Sequence, residues 1–113
     1  MTDSISVAKV TVELDVSTAG AMRKMLVDLV KQGRFFLVVD LTGVDHVDST
    51  GVGVFIGVLK RIRAHDGALA LVLTSDGVLR YFRWAGLTKV FPIFGTVDTA
   101  VEFLGREVPN AHA

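Results

Sequence analysis

Hydrophobic and polar positions along the chain follow two rhythms that take turns. ISVAKVTVEL, Ile5 to Leu14, alternates at every second residue, the period that turns one face of a strand toward a core. STAGAMRKMLVDLVKQG then carries Met22, Met25, Leu26, Leu29 and Val30 at helical spacing, with Ser17 or Thr18 placed to cap its start and Gly33 to stop it. RFFLVVDL is an unbroken apolar run, as expected of a strand covered on both faces, and Val47 can add a bridge residue after it. From Thr50 to about His65 the helical period returns; Asp66 and Gly67 break it, and GALALVLT supplies another buried strand. SDGVLRYFRWAGL is a short helix with Ser75 or Asp76 at its cap and Gly86 near its end. KVFPIF is an edge strand, because Pro92 has no N–H for a ladder, and TVDTAVEFLGRE closes the chain as a helix capped by Thr96. Strands separated by helices of this length predict an α/β domain: a mostly parallel sheet of about four to five strands with about four helices packed on it. Residues 1–108 form one domain in this reading and 109–113 a flexible C-terminal tail.

Composition narrows the function more than the fold. The 113 residues are 50% hydrophobic, enough for a core in one domain. Twelve basic residues balance twelve acidic ones, and the basic residues do not interleave with aromatics, so a nucleic-acid partner is not expected. The absence of cysteine removes disulfides, thiolate metal sites and thiol redox chemistry together. MTDSISVAKV has neither a charged n-region nor an apolar h-region, and runs such as FFLVV are too short to span a bilayer. A soluble, cytoplasmic protein with no membrane partner is the expectation.

The chemistry concentrates in VDHVDSTGVGVFIG, Val44 to Gly57. Its glycines invite a phosphate-loop reading, yet neither G-x-G-x-x-G nor the Gly-Lys-Ser/Thr phosphate loop is present. Asp45, His46, Asp48 and Ser49 are too close in sequence to converge as a hydrolytic triad, and no G-x-S-x-G elbow occurs. A small nucleotide-binding or hydrolytic enzyme is therefore set aside. His65 and His112 give no ligand spacing, so no metal and no cofactor are predicted. On a helical wheel Val52, Phe55, Ile56, Leu59 and Ile62 form a core stripe, which leaves Gly53, Val54, Gly57, Val58 and Arg61 on the outer arc. Each glycine there costs about 1 kcal/mol of helix propensity relative to alanine. Either a neighbouring helix covers this arc, or it is a docking face for a partner. Asp48, Ser49 or Thr50 can cap the helix, and three cap-type residues exceed what one helix needs. A surplus serine at a helix N-terminus is a suitable place for a phosphate, which free N–H groups and the dipole accept.

At these residues the sequence resembles the bacterial STAS-domain anti-sigma factor antagonists, also called anti-anti-sigma factors. VDSTGVGVFIGVLKRIRAHDGALALV is similar to that family's Asp-Ser-Ser/Thr-Gly-Leu/Val-Gly signature with its following helix and strand. ELDVSTAG resembles the family's Gly-Glu-Leu-Asp segment, with Val12 where the glycine is usual, and LRYFRWAGLTKVFPIF resembles its later Gly-Leu segment. The resemblance implies a single STAS-type domain without enzymatic activity. It implies phosphorylation on Ser49, with Thr50 as second choice, by a partner anti-sigma factor that is a serine kinase. The unphosphorylated form would bind that kinase and free its sigma factor, and a serine phosphatase would reset the switch. Asp15, Asp48, Thr50, Gly51, Gly53, Val54, Gly57, Val58 and Arg61 are the expected partner-binding residues. Members of the family in stressosomes, transporters and lipid-transfer complexes share the fold without this role, so a scaffold subunit is the alternative.

Overall fold

The computed structural model describes residues 4–109. Four parallel strands stand side by side in chain order: β1 (Ile5–Lys9), β2 (Phe36–Asp40), β3 (Ala68–Val72) and β4 (Ile93–Phe94). Helices α1 (Val16–Lys31), α2 (Ser49–Arg63) and α3 (Asp76–Trp84) connect them, a 3₁₀ turn (Leu87–Lys89) precedes β4, and α4 (Val97–Gly105) follows it. The single α/β domain and its four helices agree with the sequence pattern. The tail expected from 109 lies, Pro109 apart, outside the described residues.

The unbroken apolar runs of β2 and β3 follow from a sheet covered on both faces. Leu37, Val39, Leu69 and Leu71 point into a large core with Leu26 of α1, Phe55 and Ile62 of α2, Phe82 of α3, and Phe91. Val38, Ala70 and Val72 point the other way, onto Ala100 and Leu104 of α4. Asp40 is the one buried charged residue among those described. Burial alone would raise its carboxyl, but the Thr42 N–H at 3.0 Å and Lys9 Nζ at 3.5 Å outweigh that and hold it below the ordinary carboxylate value. No helix among the described residues is long and apolar enough to cross a membrane.

Two boundaries depart from the pattern. The alternation to Leu14 predicts a longer first strand, yet β1 ends at Lys9, after which Val10 N–H still reaches the Asp40 carbonyl at 2.9 Å. Beyond Asp40 there is no neighbouring strand to pair with, so Thr11, Val12 and Glu13 swing into solvent and pairing resumes only as the Leu14–Val47 bridge. KVFPIF likewise yields a two-residue strand. Phe91 turns into the core instead, and Pro92 joins the ladder through its carbonyl, which accepts from Leu71 N–H at 2.9 Å.

Gly67 makes the turn from α2 into β3, its N–H donating to the Ile62 carbonyl at 3.0 Å. A Cβ there would collide with the Phe35 carbonyl oxygen and lie 2.8 Å from Ile62 Cγ2, whereas one on Gly20 of α1 would meet open space. Gly67→Ala is expected to lose about 2 kcal/mol or more, because backbone has to move. Gly20→Ala should gain about 0.5–1 kcal/mol from helix propensity alone. Urea midpoints of the two variants, read with their slopes, check both signs.

Candidate functional site

Two helix N-termini are set side by side by the Leu14–Val47 bridge. Leu14 N–H donates to the His46 carbonyl at 3.0 Å, and Asp48 N–H donates to the Leu14 carbonyl at 3.1 Å. Asp45 N–H adds a longer bond to Glu13 Oε1 at 3.3 Å. The residue after each bridge partner is an aspartate, and each aspartate caps a helix. Asp15 Oδ1 accepts from Ser17 N–H at 2.8 Å and Thr18 N–H at 3.2 Å, while Thr18 Oγ1 accepts from Asp15 N–H at 3.1 Å and completes a capping box. The cap of α1 is thus Asp15, not Ser17 or Thr18, because the chain leaves the bridge at Leu14 and must turn at once. In α2 the cap is Asp48, whose Oδ1 accepts from Thr50 N–H at 2.9 Å and Gly51 N–H at 3.2 Å.

This assignment leaves Ser49 and Thr50 with exposed hydroxyls that have no hydrogen-bond partner among the described residues. It also corrects the expectation of free amides: those of Thr50 and Gly51 are already taken by Asp48. Glu13, Asp15, Asp45 and Asp48 make the tip acidic. The Ser17 hydroxyl, donating to Asp15 Oδ1 at 2.6 Å, is the main cause that holds the Asp15 carboxyl below its ordinary value, ahead of the Ser17 N–H.

A groove runs along each side of the tip. One, of about 490 Å³, opens between Asp45–Ser49 and α3, where Gly77, Val78 and Tyr81 form the far wall. The other, of about 300 Å³, lies between α1 and α2; Ala19, Gly20 and Arg23 line one side and Thr50, Gly53, Gly57 and Arg61 the other, with Val54 and Val58 within it. Ser49 therefore faces the first groove and Thr50 the second.

The expected outer arc of α2 is in part interior. Val54 is 8% and Val58 1% exposed, and Gly51 is buried, whereas Ile56 of the expected core stripe is only half-buried. Of the two readings of this arc, cover by a neighbouring helix holds for Val54 and Val58: α1 packs along α2, so the buried arc is wider than the sheet-facing stripe and rotated toward α1. Gly51 serves this packing, since a Cβ on it would stand 2.9 Å from Leu14 Cβ. Gly53, Thr50 and Arg61 are exposed and Gly57 is half-buried, with Arg61 Nη1 donating to the Gly57 carbonyl at 3.4 Å. Ala19, Gly20, Arg23, Gly77 and Tyr81 belong to the grooves and were not foreseen. They lie far from the signature in sequence; Ala19 and Gly20 close the ELDVSTAG segment, whereas nothing in the local pattern of Arg23, Gly77 and Tyr81 marks them.

Comparison with known proteins agrees with this geometry. The STAS domain profile matches residues 1–100. The chain is 36% identical over 90 residues to the anti-sigma-B factor antagonist of Bacillus subtilis, covering 80% of this chain and 82% of that protein. It is 40% identical over 82 residues to the anti-sigma-B factor antagonist of Listeria monocytogenes, covering 72% and 71%. The crystal structure of an anti-sigma factor antagonist from Mycobacterium paratuberculosis matches with a TM-score of 0.82 at 27% identity, over 90% of this chain and 86% of that one.

Four substitutions test the division of labour at the tip. Asp48→Ala should cost about 1 kcal/mol as a lost cap, while Ser49→Ala should stay within about 0.5 kcal/mol of the parent. Gly51→Ala should cost about 1–3 kcal/mol through Leu14, and Val54→Asp should unfold the domain by burying an unpaired charge; chemical denaturation reads all four. Because the Asp15 pKa is lowered on folding, its contribution is present above about pH 4 and is lost as pH falls through the lowered value. Stability measured between about pH 5 and 2 should therefore fall less steeply in Asp15→Asn than in the parent.

Proposed function

Since the chain belongs to the STAS domain family, we propose that it is a cytoplasmic anti-sigma factor antagonist whose binding is switched at Ser49. The unphosphorylated form binds an anti-sigma factor serine kinase and so frees the sigma factor that this kinase holds. Phosphorylation on Ser49 abolishes the complex, and a serine phosphatase restores it. The protein contributes a surface and an acceptor hydroxyl, and no catalysis of its own.

The observation that carries this reading is the exposed Ser49 hydroxyl, left without a partner because Asp48 has taken the capping role. A kinase needs a side chain it can reach without dismantling the helix. A phosphate there adds a charge of about −1.5 to −2 beside the carboxylate of Asp48. With the Thr50 and Gly51 amides occupied, little in the domain compensates it. The exposed cations Arg23 and Arg61 line the other groove, on the Thr50 side. The effect then falls on the complex: an acidic group of the partner about 6 Å from the phosphate, at an effective dielectric of about 20, is repelled by about 5 kcal/mol. That amounts to some orders of magnitude in affinity. Gly53, Gly57 and Arg61, together with Thr50, form the part of the docking face that stays on the surface. The relatives named above carry the antagonist role in their names, which supports the same reading.

The experiment is incubation of the parent, Ser49→Ala and Thr50→Ala with ATP and the cognate anti-sigma factor kinase, followed by intact mass and by affinity for that kinase. The parent and Thr50→Ala should gain one phosphate and lose affinity by a factor of about 100 or more. Ser49→Ala should gain none and stay bound. Uptake by Ser49→Ala at the parent rate moves the site to Thr50. A fall of the melting temperature by more than about 5 °C on phosphorylation would mean that the switch works by melting the domain, contrary to the mechanism given.

A further inference from the structure

Trp84 is the only tryptophan of the chain, and it is 83% exposed at the end of α3. Tyr81, one helical turn earlier, stacks on it with ring centroids 6.5 Å apart and planes inclined by 27°. Tyr81 also stands edge-on to the fully buried Phe82 at 6.1 Å, which ties this aromatic platform to the core. Gly77, Arg80, Tyr81 and Trp84 line a shallow groove of about 360 Å³. Of its cations, Arg80 lines the groove; Arg83 of the same helix and Lys89 of the following 3₁₀ turn are exposed as well, and none of the three has a salt bridge among the described residues. Asp76 is the single acid between Thr74 and Lys89, so this segment is cationic in a chain whose net charge is zero. Apolar rings with an arginine beside them, on a segment that carries two further unpaired cations, are suited to a ligand that joins an apolar side chain to carboxylates.

We propose that the α3 face centred on Trp84 docks an acidic peptide segment of a protein partner, its one apolar side chain lying on Trp84 and Tyr81 and its carboxylates facing Arg80, Arg83 and Lys89. A protein segment fits better than the other polyanions. A single-stranded nucleic acid takes several stacking rings along a basic track, and here there is one pair of rings. A membrane-surface helix needs a longer apolar face than α3, which has nine residues. The surface adjoins the groove beside Ser49 and shares Gly77 and Tyr81 with it, but Ser49 itself does not line it. A partner seated at the tip could thus extend onto α3, but the α3 site does not depend on that.

Because no other tryptophan is present, intrinsic fluorescence reports on this face directly. The full chain is titrated with a synthetic peptide of glutamates flanking one leucine. A saturable blue shift is expected, weakened about tenfold or more in Arg80→Glu/Arg83→Glu and by raised salt, and unchanged in Ser49→Asp. Labelled-peptide anisotropy should show the same loss in Trp84→Ala. Circular dichroism establishes that both variants are folded, as their exposure leads one to expect. The proposal is overturned if no saturable change occurs up to millimolar peptide, or if a glutamine-for-glutamate peptide binds as well. It is also overturned if a single-stranded oligonucleotide or phosphatidylglycerol vesicles give the same shift at lower concentration. A Ser49→Asp effect of the same size as the charge reversal would assign the shift to the tip instead.

Discussion

The contact on which the site depends is the approach of Leu14 to Gly51. The backbone of Leu14 bridges the segment before α2 through two hydrogen bonds, and its Cβ occupies space that any side chain at 51 would need. That approach starts α1 and α2 at the same level, with Asp15 and Asp48 in equivalent places. Everything at the tip follows from it: two caps supplied by aspartates, two hydroxyls left over, and a rigid acidic end where carboxylates from two distant loops meet. The glycine of the signature thus acts by letting two backbones come close, and the partner meets its consequences instead of the residue itself.

Packing of α1 along α2 explains how an α2 with three glycines is stable. Val54 and Val58 are covered by α1, which restores apolar burial on an arc that would otherwise lie open. Gly53 and Gly57 line the groove between the two helices, and their missing side chains leave open the space that Arg23 and Arg61 border. Helix propensity is given up for a surface at Gly53 and Gly57, and for the close approach of Leu14 at Gly51.

Charge is separated though it sums to zero. Carboxylates gather at the Ser49 tip; Arg23 and Arg61 line the α1–α2 groove, and Arg80 lines the groove beside Trp84 on α3. In the proposed switch, a phosphate at Ser49 would add to the side that is already negative and leave the cationic faces unchanged.

The sequence by itself determined the order of strands and helices, the parallel sheet and the start of α2 at its cap-type residues. Each of these is written in local periodicity or in a contiguous motif, as with the apolar runs of β2 and β3 or Asp48-Ser49-Thr50-Gly51. It could not end β1 at Lys9, because where a strand stops depends on whether a neighbour remains to pair with. Nor could it choose among Ser17, Thr18 and Asp15, or among Asp48, Ser49 and Thr50, since every one has a side chain able to cap. Tertiary structure made that choice by fixing the angle at which the chain leaves the Leu14–Val47 bridge. It also decided which face of α2 is surface, for burial is a property of both helices and a wheel drawn on one of them has no term for the other.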